Sequence, residues 1–251
     1  MAAVIAHSST IFHFQRINGI TDNFNVKYFS FIPLFFLLAA LLPAQEVLRG
    51  ELMVELEPVY GLYVDEKYPL DREDAYKRAL EEAAMFFSAS IYGWSFEYDI
   101  GERARGMAEN FELASLGTIP WGDPGLKVTH ANIRNMRLYA WMDYRMGESQ
   151  IRRVRAWKSG TVRTAQAVGF GPLGMPDQTS DWIAVKKAAL EDAARTAVRA
   201  MLQGSERNRP REAKGYISLQ SFPQYWLDGG RWACSARFYV EIKEILPFSA
   251  Y

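Results

Sequence analysis

Two alanine-rich segments with helical spacing constrain the fold of this chain more than any other feature. The segments AYKRALEEAA (75–84) and AVKKAALEDAA (184–194) match at a constant offset of 110 residues, so that Lys77 corresponds to Lys187. Small residues recur at every fourth position in both segments, which places them on one face of a helix. Such a face lets each helix lie close to a β-sheet. These positions are Ala75, Ala79 and Ala83 in the first segment, and Val185, Ala189, Ala193 and Ala197 in the second.

Strand-like runs surround the second helix on both sides. The run TVRTAQAVGF (161–170) precedes it. After it in the chain, Asp228-Gly229-Gly230 lies between two further runs, KGYISLQSFPQYWL (214–227) and RWACSARFYVEIKEI (231–245). An Asp-Gly pair between two alternating runs is typical of a β-hairpin.

The first helix has similar surroundings. ELMVELEPVYGLYV (51–64) precedes it, and LKVTHANI (126–133) and MRLYAWMDYRM (136–146) are expected to form the strands that follow. An irregular, aromatic-rich insertion is predicted at 94–124. QIRRVRAWK (150–158) is predicted to add a further strand.

The sequence therefore predicts an α+β fold with two strand-helix-strand-strand units, residues 45–158 and 159–251. Each unit is expected to be an antiparallel sheet covered by one alanine-rich helix. The predicted helix ends are Asp71 and either Ser180 or Asp181 at the N-termini, with Gly93 and Gly204 at the C-termini.

Residues 1–44 have the pattern of a secretory signal. Lys27 precedes an apolar stretch from Phe29 to Leu42, and a small residue, Ala44, ends the segment. The stretch has 14 residues, whereas a membrane-spanning helix needs roughly 20. We predict export with cleavage after Ala44. An uncleaved N-terminal membrane anchor is the alternative.

The first 25 residues are long and mixed for the polar start of a signal. A start near Val26 would give a compact signal with Lys27 beside it. Our hypothesis is that residues 1–25 are not translated. No cysteine follows the apolar stretch, so the sequence does not indicate a lipid-anchored N-terminus.

The spacing Gly169-x-Gly171-x-x-Gly174 is that of a dinucleotide-binding turn. A nucleotide site needs the helix to begin at these glycines, so that its amides meet the pyrophosphate. Here Pro172 interrupts the motif and the predicted helix cap follows several residues later. A hairpin, not a parallel strand, comes next. We therefore predict no nucleotide and no other cofactor, and interpret the glycines as the end of a strand.

Residues 160–245 resemble a family of bacterial envelope proteins. A strand ending in A-x-G-x-G, a loop, an alanine-rich helix with A-x-x-x-A-x-x-D-A-x-R and two strands are typical of the flagellar assembly protein T N-terminal domain and related small outer-membrane lipoproteins. The resemblance implies a non-enzymatic envelope protein. The matching positions are Ala167, Gly169, Gly171, Ala184, Ala188, Glu191, Asp192, Ala193, Ala194 and Arg195.

Histidine and cysteine are too scarce for most catalytic or metal sites. His130 is the sole histidine outside the leader, so a multi-histidine zinc site is excluded there. The sole cysteine, Cys234, rules out an intrachain disulfide. It alternates with apolar residues on a strand and is expected to be a buried, inert thiol. An intermolecular disulfide or a reactive thiol is the alternative.

Adjacent carboxylates occur at Glu81-Glu82 and Glu191-Asp192. Neighbouring residues on a helix point about 100° apart, so we interpret both pairs as solvated helix faces. No catalytic residue and no metal ligand is predicted. An exported hydrolase that uses carboxylates or His130 is kept as the alternative function.

Charge is distributed unevenly along the chain. Residues 45–125 carry 7 Lys and Arg against 17 Asp and Glu, and residues 126–251 carry 20 against 11. A basic half of this kind can face an anionic partner or the acidic half of its own fold. Export makes nucleic acid an improbable target.

The candidate partner-binding residues come from the densest basic stretch and from one turn-rich loop. On a strand, Arg153 and Arg155 would share one face, with simple solvation as the alternative to binding. Trp121 in TIPWGDPG (118–125) is expected either to contact a partner or to cover the core. The candidates are Arg152, Arg153, Arg155, Trp157, Lys158 and Trp121.

These observations favour an exported, non-catalytic envelope protein that acts by binding or assembly. Its partners are expected to be other envelope proteins or an anionic envelope surface. An exposed apolar patch on a sheet face would favour this function over the hydrolase.

Overall fold

Nine strands and three helices make up the part of the chain that the computed structural model describes, residues 46–57, 69–101, 106, 108–173, 182–205 and 210–247. The predicted leader, Gly174, Ser180 and Asp181 lie outside these residues. In chain order the elements are β1 (Val47–Glu55), α1 (Arg72–Ile91), β2 (Trp94–Asp99), β3 (Asn110–Ser115), β4 (Leu126–Arg134), β5 (Arg137–Arg145), α2 (Glu148–Trp157), β6 (Arg163–Phe170), α3 (Trp182–Ser205), β7 (Pro210–Leu219), β8 (Gln224–Asp228) and β9 (Arg231–Pro247).

The strands form two antiparallel sheets, which confirms the predicted α+β class. The small sheet has the order β1-β5-β4, and the large sheet has the order β3-β2-β7-β9-β6, with β8 paired to β9. Within them, β1-β5-β4 and β6-β9-β7 follow the same plan. In the small sheet, β5 lies between β1 and β4. In the large sheet, β9 lies between β6 and β7 in the same way.

Helix α1 lies between the two sheets. Asp71 caps its start by accepting a hydrogen bond of 2.8 Å from the Asp74 N–H, as predicted. Gly93 follows its end with φ +69°, a conformation that favours glycine. The alanine face, with Ala79 and Ala83, packs into the core of the small sheet, whereas Phe86 packs into that of the large sheet.

Helix α3 covers the large sheet at unusually close range. A Cβ atom at Gly169 would lie 2.0 Å from the Ala193 nitrogen and 2.5 Å from the Ala189 carbonyl oxygen. A Cβ atom at Gly171 would lie 3.0 Å from the Val185 carbonyl oxygen. The contact between β6 and the small-residue face of α3 thus explains the glycines at positions 169 and 171.

The irregular conformation predicted for 94–124 is wrong for much of that segment. Strands β2 and β3 form a hairpin, and β2 pairs with β7, so that Trp94 lies opposite Ile217. Trp94, Phe96 and Tyr98 alternate into the core beneath α3. These three aromatic residues of the insertion therefore complete the core of the large sheet.

The strand predicted at 150–158 is also wrong, because this segment belongs to helix α2. Val154 is buried, and Ile151 and Trp157, three residues before and after it, are partly buried on the same face. The Gly147 N–H donates a 2.8 Å hydrogen bond to Gln150 Oε1 at the start of the helix. The basic residues between the apolar positions consequently point in different directions.

Candidate functional site

The basic residues of α2 do not form one strip. Arg152 pairs with Glu148 on the same helix at 3.8 Å, and Arg155 pairs with Glu46. Arg153 instead lies over the ring of Tyr92, 5.7 Å from its centroid. The predicted common face of Arg153 and Arg155 is therefore wrong, since side chains two positions apart on a helix point about 200° away from each other.

Trp157 fixes the end of α2 to the end of α1. Its indole N–H donates a hydrogen bond of 3.2 Å to the Ile91 carbonyl oxygen. The ring lies against Gly93, where an added Cβ would come within 3.0 Å of Trp157 Cζ2. Trp157 is thus both a structural residue and a wall of the depression beside it.

That depression, which we call the α2 groove, has a volume of about 540 Å³. Leu116, Ala156, Trp157, Val162 and Tyr216 form most of its lining, with Arg153 and Glu241 as its charged residues. Helix α2, the end of β3 and the exposed side of β7 and β9 all contribute. The structure therefore brings Arg153 and Trp157 of the predicted set to one concave, largely apolar surface.

The α2 groove is one corner of a larger exposed surface. The side chains of β6, β7 and β9 alternate, so one face of the large sheet packs under α3 and the other, here called the open face, does not. Besides polar residues, the open face carries several exposed large apolar side chains. These are Leu116, Val168, Tyr216 and Trp226.

Trp121 lies elsewhere on the surface. It is 58% exposed in the turn between β3 and β4. Trp121 is not among the described residues that line the α2 groove. The hypothesis that Trp121 covers the core does not agree with this exposure, and a contact role stays a prediction.

A buried ion pair was missed by the interpretation of Glu81-Glu82 as a solvated helix face. That interpretation is wrong for Glu82, which is 1% exposed on α1 and faces Lys186, 2% exposed on α3. Lys186 Nζ donates hydrogen bonds of 2.7 and 2.8 Å to the two Glu82 carboxylate oxygens and one of 3.3 Å to the Met53 carbonyl oxygen. Burial raises the pKa of the Glu82 carboxyl, while the charge of Lys186 opposes that rise.

Aromatic rings enclose the ammonium group of this pair. The centroids of the Trp182, Tyr225 and Trp232 rings lie 5.4, 5.3 and 5.0 Å from Lys186 Nζ. A cavity of about 320 Å³ lies next to the pair, with Glu51, Arg134 and Gln224 in its lining. Nothing in the local sequence marked this site, because its parts come from two helices and three strands.

The second carboxylate pair has a different arrangement. Asp192 accepts a hydrogen bond of 2.9 Å from the Phe170 N–H and pairs with Arg195, so it ties α3 to the end of β6. Glu191 pairs with Lys187 at 3.7 Å on the helix surface. Neither residue lies opposite another carboxylate in the described contacts.

His130 and Cys234 are far apart in the architecture. His130 is exposed on β4 of the small sheet, opposite Trp141. Cys234 is fully buried on β9 of the large sheet, as predicted, and burial raises the pKa of its thiol to about 12. A thiol of this kind is a poor nucleophile at neutral pH.

Two further properties hold for the described part of the chain. No group of three or more His, Cys, Asp or Glu side chains in it is arranged to hold a metal ion. None of its helices combines the length and apolarity required to cross a membrane.

Comparisons with known proteins find relatives by sequence. A protein-family model matches residues 38–248. An uncharacterised protein of Treponema pallidum (strain Nichols) is 23% identical over 171 residues, which is 68% of this chain and 69% of that protein. No solved structure matches the chain.

Proposed function

We propose that this chain, which belongs to the family whose model matches residues 38–248, is a non-catalytic, exported envelope protein that binds a partner protein. The matched region contains both sheets. The α2 groove is the observation that carries this proposal. It is concave, its walls are largely apolar, and it opens onto a sheet face with further exposed apolar residues. Surfaces of this composition mark sites of protein association.

Charge around the α2 groove favours an acidic partner segment. Arg152 and Arg155 are paired with Glu148 and Glu46, but no described carboxylate forms an ion pair with Arg153 or Lys158. Arg153 lines this apolar depression, which can receive an aliphatic or aromatic side chain, and Lys158 follows at the C-terminal end of α2. We therefore infer that the partner presents an apolar side chain flanked by Asp or Glu.

Features of the leader and of the second unit support an envelope location. Residues 1–44 carry the signal pattern, with cleavage after Ala44 or retention as an anchor as the two outcomes to distinguish. The resemblance of residues 160–245 to the flagellar assembly protein T N-terminal domain and to outer-membrane lipoproteins agrees with such a location. On this proposal the protein is periplasmic or attached to the envelope.

A crosslinking experiment in living cells tests the proposal. A photo-crosslinking residue replaces Ala156, which is exposed in the α2 groove, and the crosslinked partner is identified. The variants Arg153→Glu and Leu116→Glu are expected to abolish that crosslink or to lower partner affinity at least about tenfold, since each adds a negative charge in the groove where the partner is acidic. Arg152→Glu is the matched control, because it changes charge on the same helix outside the groove.

Three results would count against the proposal. Crosslinks that persist in Arg153→Glu and Leu116→Glu would show that the groove is not the binding surface. Recovery of a crosslinked lipid instead of a protein would mean that the groove binds a lipid and not a partner protein. Fractionation of the protein with the cytoplasm would refute export.

A further inference from the structure

Strand β9 extends well beyond its neighbour β6. Residue pairing between them ends at Arg163 and Val240, whereas β7 continues to pair with β9 as far as Pro247. On the side away from β7, no described strand pairs with residues 242–246, which we call the β9 overhang. A trough of about 600 Å³ runs beside this edge, with Thr161, Arg163, Met201 and Ile245 in its lining.

A β-bulge sets the direction of the side chains in the β9 overhang. Glu244 lies opposite Lys214 and Ile242 lies opposite Gly215, so Lys243 is an extra residue on the β9 side. As a result, Ile242 and Ile245 both pack against the core beneath α3.

Lys243 and Glu244 point to the other side. The Lys243 ammonium pairs with Glu241 of the same strand at 2.6 Å and lies 6.0 Å from the centroid of the Tyr216 ring on the open face. Glu244 is opposite Lys214, which pairs there with Glu97 and Glu212. The overhang therefore has an apolar pair on one face and a cation and an anion on the other.

This arrangement is complementary to itself. When two β9 overhangs lie antiparallel about a two-fold axis between residues 243 and 244, Ile242 of one copy is opposite Ile245 of the other. Lys243 of one copy is then opposite Glu244 of the other, twice by symmetry. We propose that two copies of this chain associate through their β9 overhangs and join their large sheets into one continuous sheet.

A second copy fits these observations better than an unrelated strand. To pair with an unrelated strand, the β9 overhang would not need matched isoleucines or opposite charges at symmetric positions. The bulge and Lys243 also hinder indiscriminate pairing at an exposed edge. The proposal goes beyond partner binding, since it uses the edge of β9 and not the α2 groove.

The association is expected to be weak and reversible. A pairing of four residues on each side buries less than the roughly 1,200–2,000 Å² of stable interfaces. Sedimentation of the purified protein over a concentration series should show dimers forming at micromolar concentrations or above. A protein that stays monomeric up to about 1 mM, the limit of weak but measurable association, would overturn the proposal.

A charge exchange distinguishes this interface from any other dimer contact. Lys243→Glu and Glu244→Lys, made singly, each place like charges in opposition at two symmetric positions and should weaken dimerisation about tenfold. The double variant Lys243→Glu/Glu244→Lys recreates the pairing with its signs exchanged and should restore it. Lys127→Glu on β4 is the control and should leave dimerisation unchanged.

Pairing through the β9 overhang would be refuted if the double variant did not regain dimerisation. It would also be refuted if dimerisation were unchanged in both single variants. Partner crosslinking through Ala156 is scored separately in Glu244→Lys, because Glu244 is not among the described residues that line the α2 groove. The two proposals can therefore fail independently.

Discussion

Lys186 on α3 holds both carboxylate oxygens of Glu82 on α1, at 2.7 and 2.8 Å, where both side chains are almost fully buried. The third ammonium donor reaches the Met53 carbonyl oxygen on β1. One side chain thus connects both long helices and the edge of the small sheet. Removal of either partner would leave a buried charge without compensation.

Glu82→Met and Lys186→Met are each expected to lower the free energy of unfolding by about 3–5 kcal/mol for that reason. The double variant Glu82→Met/Lys186→Met removes both charges and should be more stable than either single variant by at least about 2 kcal/mol. Urea unfolding followed by circular dichroism measures these changes. Glu81→Gln, one residue away, is the control and should change stability by less than about 0.5 kcal/mol. Additive losses in the double variant would contradict the pairing.

Gly169→Ala should destabilise the protein by at least about 2 kcal/mol, because the new Cβ overlaps the backbone of α3. It would lie 2.0 Å from the Ala193 nitrogen, and backbone atoms cannot move aside as a flexible side chain can. Gly160→Ala is the matched control, since a Cβ there meets no atom within 4 Å. Thermal unfolding of both variants makes the comparison, and equal melting temperatures would disprove the close contact.

The Cys234 thiol should react with an aromatic disulfide reagent only as fast as the protein unfolds. It is fully buried, and its pKa of about 12 leaves little thiolate at pH 8. Labelling rates with and without urea test this. Rapid labelling of the native protein would show that the thiol is reactive.

The same shift in pKa gives a pH dependence of stability. The Cys234 pKa is raised from 9.0 to about 12 on folding, so the folded state binds the proton more tightly than the unfolded state. The stabilisation is complete below about pH 9, the ordinary thiol pKa, and is lost as the pH rises towards the folded value. Cys234→Ala should therefore lose less stability than the unaltered protein between pH 8 and pH 10. Parallel stability curves for the two proteins would contradict this expectation.

Val154→Ala should cost about 1–3 kcal/mol, since Val154 is the buried residue of α2. Arg152→Ala, two residues away, should change the free energy of unfolding by less than about 1 kcal/mol because its pair with Glu148 is exposed to solvent. Chemical unfolding measures both. A larger loss in Arg152→Ala would mean that α2 packs through a different face.

Local patterns were sufficient wherever a segment specifies its own conformation. The four-residue spacing of Ala75, Ala79 and Ala83 predicted α1, and Asp71 and Gly93 marked its ends. The Asp-Gly turn at Asp228 and Gly229 predicted the hairpin of β8 and β9. Each of these signals acts between residues that are close in the chain, so it can be interpreted without the tertiary structure.

Helix α2 shows where local patterns become ambiguous. Its short run of arginines around Ile151 and Val154 fits a strand or a helix about equally well. Packing of Val154 and the contact of Trp157 with the end of α1 favour the helix. Short segments are commonly decided by such tertiary contacts.

By itself, the sequence determined the α+β class, the two covering helices and the buried thiol of Cys234. The tertiary structure alone decided that β2 joins β7, that Glu82 meets Lys186 and that β9 extends past β6. These contacts join residues that are far apart in the chain, and their free energy depends on burial and geometry that no local spacing records. The α2 groove and the β9 overhang are consequences of the same long-range packing.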